Sequence, residues 1–352
     1  MNVARQFPIL DGHNDTLLRL ASEERSFFVE SAKGQLDLPR ARRGGFAGGF
    51  FAICPAAPSS AEMWEHLIIT ETGYEVRPFP AADPVAAQQQ TMEVAARLFR
   101  LEAESRGQVK VVRTVDELED CLKKGMLAII LHFEGAKAIN EQLDALEVFY
   151  QAGLRSLGIV WSRPNVFGHG VPFQFPHSPD TGPGLTSAGR KLVRACNRLG
   201  ILLDLAHINE QGFWDVAQIS RAPLVVTHAA AHTLCPSTRN LTDRQLAAIK
   251  ASEGIVGLNF EVANLRADAN EEPNTPLAVM IQHIDHLVTH LGIDGVGFGS
   301  DFDGGITVAQ ELTDVAGLPR LIVALREHGY DDASLRKLSH ENWLRVLRMT
   351  WR

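Results

Sequence analysis

Eight short apolar runs alternate with segments of helical periodicity along this chain, and several of them stop abruptly at a histidine, an aspartate or a glutamate. They are Pro8 to Leu10, Gly44 to Cys54, Met126 to Leu131, Leu157 to Trp161, Ile201 to Leu205, Pro223 to His228, Gly254 to Phe260 and Gly295 to Gly299. A run without polar interruption reads as a strand buried on both faces, the environment of a parallel sheet. Between the runs, apolar residues fall at helical spacing in Val85 to Ser105, Leu143 to Ala152, Thr186 to Leu199, Asn209 to Ile219, Thr242 to Ser252 and Leu277 to Leu291. Thr114 to Glu117 has the form of a capping box ahead of a further short helix, and Gly200 stands where a helix C-terminus is expected. Two more helices, near Pro319 to Glu327 and Ala333 to Leu347, close the chain. This alternation predicts an α/β protein built as a single (β/α)8 TIM barrel, one domain over residues 1–352, rather than two domains.

In such a barrel the reacting groups sit where the strands end. The sequence puts His13 and Asp15 after the first strand, Glu134 after the third, His207 after the fifth, His228 after the sixth and Asp301 after the eighth. Three histidines and three carboxylates on one rim would repel and be costly to dehydrate, unless cations hold them together. A pair of divalent ions meets that need. Glu134, between the two groups, is the expected bridge, with His13 and Asp15 completing one ion and His207 and His228 the other. Asp301 is then free to move protons.

Composition narrows the rest. The net charge of -8 argues against a nucleic-acid partner. Arg40 to Arg43 is too short for a phosphate-gripping run and reads as a solvated turn. No window resembles a membrane span, and Met1 to Arg5 runs into the first strand without the apolar segment of a secretory signal. Cys54, Cys121, Cys196 and Cys235 are widely spaced and read as reduced thiols of a cytoplasmic protein. His283, His286 and His290 share a helix and read as partly exposed surface residues. The Gly- and Pro-rich loop from Ser162 to Gly184 is long enough to line or cover a site.

Asp11-Gly12-His13-Asn14-Asp15, Phe133-Glu134-Gly135, Asp204 to His207, Thr227-His228-Ala229, Ser237 to Asn240 and Gly297 to Gly304 together resemble the membrane (renal) dipeptidase family, in matching order along the chain. The resemblance implies a metal-dependent hydrolase barrel with two zinc ions on the ligands above, and hydrolysis of dipeptides with tolerance for a D-residue at the C-terminal side. It also implies that Arg239 holds the substrate carboxylate, which suits a guanidinium, and that the protein is a homodimer. One position departs from the family. Where its members carry a histidine that polarises the substrate carbonyl, this chain has Trp161, with His169 in the following loop as a replacement donor or Trp161 itself packing on substrate. The expected chemistry is attack by a hydroxide shared between the ions, with Asp301 passing a proton to the leaving amine. The competing reading is a dizinc amidohydrolase acting on a non-dipeptide amide or a lactone. Such enzymes commonly begin with His-x-His and bridge their metals with a carboxylated lysine, and Lys137 comes too late after Glu134 to end the same strand.

Overall fold

The computed structural model describes residues 7–351, so the Met1 to Arg5 segment lies outside the described residues. Eight parallel strands form the centre: β1 (Ile9–Asn14), β2 (Phe46–Ile53), β3 (Leu127–Phe133), β4 (Ser156–Gly158), β5 (Leu202–Asp204), β6 (Val225–Ala229), β7 (Ile255–Leu258) and β8 (Val296–Phe298). Each pairs with the next, and β8 pairs with β1, so the sheet closes on itself. The longest register, Gly48↔Ala128 to Ile53↔Phe133, joins β2 to β3. An additional strand, Val109–Val111, lies beside the first half of β3. The expected (β/α)8 barrel is therefore present.

Parity within the strands separates two cores. In β3, Leu127, Ile129, Leu131 and Phe133 face the surrounding helices, whereas Ala128 and Ile130 join Leu10, Phe50, Leu202, Val225 and Ile255 inside the barrel. Trp343, from the C-terminal helix Asn342–Thr350, fills this inner layer among the first residues of the strands, and its Nε1 donates to the Phe298 carbonyl at 3.1 Å. Gly12 makes room for it: a Cβ there would collide with both the Thr227 carbonyl and the Trp343 indole. The next inward positions of β3 are His132 and then Glu134, so the barrel turns from apolar to ionisable on rising toward the strand ends.

Several sequence readings need correction. Strand β1 runs on through Asn14 instead of stopping at Leu10, because Asp11 is satisfied inside the ladder by Ser300 N–H at 2.6 Å and Ser300 Oγ at 2.8 Å. Arg40 to Arg43 is no solvated turn. It belongs to the helix Leu38–Gly44, where Arg40 is buried and donates to Asp37 at 2.7 Å and Asp314 at 3.0 Å. His283 is buried, its Nδ1 accepting the Ala231 N–H at 3.1 Å, while His286 and His290 are partly exposed beside Asp243. The last expected helix is broken into Asp332–Arg336, a wider turn at Lys337–Glu341, and Asn342–Thr350. The four cysteines are buried free thiols. Among the described residues no helix is long and apolar enough to cross a membrane.

Candidate metal centre

The mouth of the barrel gathers the residues that the sequence had scattered. His13 lies in β1 and Asp15 opens the helix Thr16–Ser22, Glu134 follows β3, His207 lies just beyond β5, His228 is in β6, and Asp301 lies beyond β8. His207 and Asp301 take the left-handed backbone region, φ 62° and 63°. Such strain in non-glycine residues persists where neighbours fix it, and here the Asp301 N–H donates to the His13 carbonyl at 2.9 Å. Gly304 is the other close approach, since a Cβ there would press on the carboxylates of Asp301 and Asp15.

Glu134 is at the centre. Its Oε1 lies 3.0 Å from His207 Nε2, 3.7 Å from His228 Nε2 and 3.7 Å from His13 Nε2. His13 Nε2 lies 3.5 Å from Asp15 and 3.9 Å from Asp301. Two trios, His13–Asp15–Glu134 and Glu134–His207–His228, each bring three ligand atoms within 4.8 Å of one another. They share Glu134, as the sequence reading expected of a bridge. The combination His13–Asp204–His228 meets the same distance. However, Asp204 already accepts from Ala206 N–H at 3.0 Å, Thr227 N–H at 2.9 Å and Thr227 Oγ1 at 2.7 Å.

That arrangement of Asp204 fixes a tautomer. If Thr227 gives its hydroxyl proton to Asp204, its oxygen can only accept from His228 Nδ1, 2.9 Å away, and the lone pair of His228 is left on Nε2. Ser162 Oγ lies 2.8 Å from Nδ1 of the second imidazole, His207. Burial, with Arg239 adding to it, lowers His207 to about 4, and burial with His13 holds His228 well below the usual imidazole range. Both are neutral, as metal ligands must be.

His13 shows the opposite behaviour, and it supplies the test of fit. Burial works to lower its pKa, but Glu134, Asp15 and Asp301 override it and raise His13 to about 10. Burial, reinforced by Asp15 and Glu134 against His13, raises Asp301 to about 7. Both ring nitrogens of His13 and Asp15 Oδ1 are buried without a hydrogen-bond partner. A site that holds a proton on an imidazole to balance its carboxylates, and keeps these donor atoms unpaired, lacks positive charge in its middle. Nitrogen and carboxylate donors in this proportion suit a divalent cation such as zinc.

Sequence reasoning passed over the supporting residues. His132 is fully buried, with Nδ1 2.9 Å from Ser156 Oγ and its ring edge-on to His13 at 5.5 Å. Asn259 donates to Asp301 at 3.0 Å. Strand parity carries the signal for His132, two residues before Glu134 on an inward face. Nothing local in the sequence marks Asn259. Of the expected substrate residues, Arg239 is buried beside the cluster and donates to the His228 carbonyl at 3.2 Å. Trp161 lies past the end of β4, its ring 5.7 Å from that of His207. The His169 ring makes no hydrogen bond, ion pair or ring contact with the cluster, and its carbonyl accepts the Asn209 N–H at 3.3 Å.

Comparison with known proteins identifies the family. A metallopeptidase from Rhodobacter sphaeroides, solved with a phosphinate mimic of the dipeptide L-Ala-D-Ala, is 50% identical with a TM-score of 0.92, over 98% of this chain and 99% of that one. The structure of dipeptidase AC, a metallopeptidase of family M19, is 50% identical with a TM-score of 0.93 over the same shares. An uncharacterized protein in the pqqA 5' region of Klebsiella pneumoniae is 47% identical over 269 residues, 76% of this chain and 98% of its own length. The sequence model of the membrane dipeptidase family, peptidase family M19, matches residues 1–351. The chain therefore belongs to the membrane dipeptidase family and is a metallodipeptidase.

Proposed function

We propose that this single-domain enzyme hydrolyses dipeptides, accepting a D-residue at the C-terminal position, with two zinc ions held by His13, Asp15, Glu134, His207 and His228. The observation that carries the reading is the pair of buried trios sharing Glu134 at the barrel mouth. The D-residue is supported by the L-Ala-D-Ala mimic bound to the Rhodobacter sphaeroides relative. When bound, the ions supply a nucleophilic hydroxide at neutral pH and a Lewis acid for the oxyanion. The protein does the remainder. Arg239, buried with no carboxylate among the described residues within ion-pair distance, takes the substrate's C-terminal carboxylate. Asp301, raised by burial toward neutrality and steadied by Asn259, accepts a proton from the attacking water and returns it to the leaving amine. Trp161 forms an apolar wall beside His207, and His169, on the loop that follows it in sequence, is the candidate donor to the substrate carbonyl. The enzyme acts as a cytoplasmic homodimer on this reading. A screen of L,L and L,D dipeptides, with and without a chelator, tests it: chelator-sensitive hydrolysis with L,D substrates included is expected, and hydrolysis that survives metal removal, or none in the whole panel, overturns it.

A further inference from the structure

Four lysine and arginine residues are buried as whole residues among the described ones: Arg40, Lys137, Arg163 and Arg239. Arg40 has two carboxylates within ion-pair distance, Asp37 and Asp314. The other three have none, and all three stand at the barrel mouth. A buried cation without a counter-ion is strongly unfavourable, so three of them on one rim require an explanation. Arg239 has one in the substrate's terminal carboxylate.

Lys137 and Arg163 flank Trp161. Lys137 Nζ lies 5.9 Å from the Trp161 ring centre, and its hydrogen-bond partner is a thiol, Cys54 Sγ at 3.5 Å. The Arg163 guanidinium lies 6.0 Å from the same ring and 5.3 Å from that of Phe79. Its Nη1 donates to the Ala56 carbonyl at 3.1 Å, its buried Nε has no partner, and Glu62 acts on it from beyond ion-pair range. The aromatic faces partly offset the loss of water but leave the Arg163 Nε–H unused. Cys54 follows β2, Lys137 follows β3 and Arg163 follows β4, whereas Arg239 follows β6. The pair thus occupies a different sector of the rim from Arg239, and an anion held there is a second one.

We propose that Lys137 and Arg163 form a subsite for an acidic side chain, so that the preferred substrates are dipeptides bearing an Asp or Glu in addition to the terminal carboxylate. The inference rests on the dipeptidase reading and deepens it. Both residues determine specificity and take no part in bond breaking.

The test compares charged and neutral isosteres: Glu-Ala against Gln-Ala and Ala-Glu against Ala-Gln, with L and D residues at the C-terminal position. In at least one pair the acid is expected to exceed the amide about tenfold or more in kcat/KM. That ratio should fall toward unity in K137M and in R163M, with R163K retaining part of it. Because the ratio is taken within each variant, a general loss of activity or folding does not imitate the result. Calorimetric binding of the same peptides to chelator-treated protein gives a second readout. Equal treatment of acid and amide in both pairs by the wild type, or a preference untouched in both K137M and R163M, overturns the subsite while leaving the dipeptidase standing. If no dipeptide is hydrolysed, the functional reading fails, and equal binding of acid and amide then overturns the subsite as well.

Discussion

Asp301 occupies a backbone conformation that asparagine also tolerates, and an amide oxygen can still accept from Asn259. Asp301→Asn therefore changes proton transfer and little else. Turnover should drop about a hundredfold or more with metal content near normal, measured by steady-state kinetics and elemental analysis on one preparation. Near wild-type turnover would remove Asp301 from the proton path. Glu134→Ala is different in kind. It takes away the oxygen common to both trios and leaves His13, His207 and His228 facing one another with less negative charge, so metal and activity should disappear together. Full occupancy of both sites in that variant would show that the carboxylate is not shared. The candidate ligands were legible because each lies at or shortly after the end of an apolar run. Their supports were not, since the Thr227 hydroxyl acts through an ordinary residue type and Asn259 meets Asp301 only after β7 and β8 have paired.

Elements were most readable where local chemistry decides their ends. Thr114 accepts the Glu117 N–H, Thr242 and Gln245 cap each other, and Gly200 takes the left-handed region expected after a helix. The helix Ser60–His66 and the hairpin Leu67–Ile69 with Tyr74–Val76 escaped notice. The hairpin is short and partly exposed, and its third strand, Gln174–Phe175, comes from far along the chain, so no window of sequence contains its pairing. The break in the final helix was invisible for a related reason. A helical pattern from Ala333 onward looks continuous, yet the wider turn at Lys337–Glu341 precedes the point where Asn342 donates to the carbonyls of Ile293 and Val296, both at 2.7 Å. Trp343 is thereby committed to the barrel interior. Truncation to alanine should cost about 3–5 kcal/mol of stability, read from the urea midpoint of metal-free and metal-loaded protein alike. A change below about 1 kcal/mol would mean that the strands pack adequately without the plug.

At the scale of the whole molecule, closure of the sheet is what converts sequence positions into a site, and it was predictable because alternating strands and helices leave few other topologies. Closure also confines several like charges in one buried space, with a consequence for stability. Folding raises His13 from its ordinary value of 6.5 to about 10, because its carboxylate neighbours outweigh burial. The sign follows from linkage: the folded state keeps a proton that the unfolded chain loses on passing the lower value, so this stabilisation is complete below about pH 6.5 and is lost progressively as pH rises through about 10. Asp301, raised chiefly by burial to about 7, and Glu261, raised chiefly by burial to about 8, act in the same direction over the lower part of that window. The buried neutral imidazoles His207 and His228 act oppositely, but below the ordinary histidine value, outside the window. Chelator-treated protein should therefore lose melting temperature steadily between about pH 7 and about pH 9. Metal binding displaces the His13 proton and tightens as protons become scarce, so the gap between loaded and stripped protein should widen over the same interval. A stripped protein whose melting temperature is level or climbs there would show that the carboxylates do not hold a proton on His13, and the argument that cations belong among them would lose its electrostatic basis.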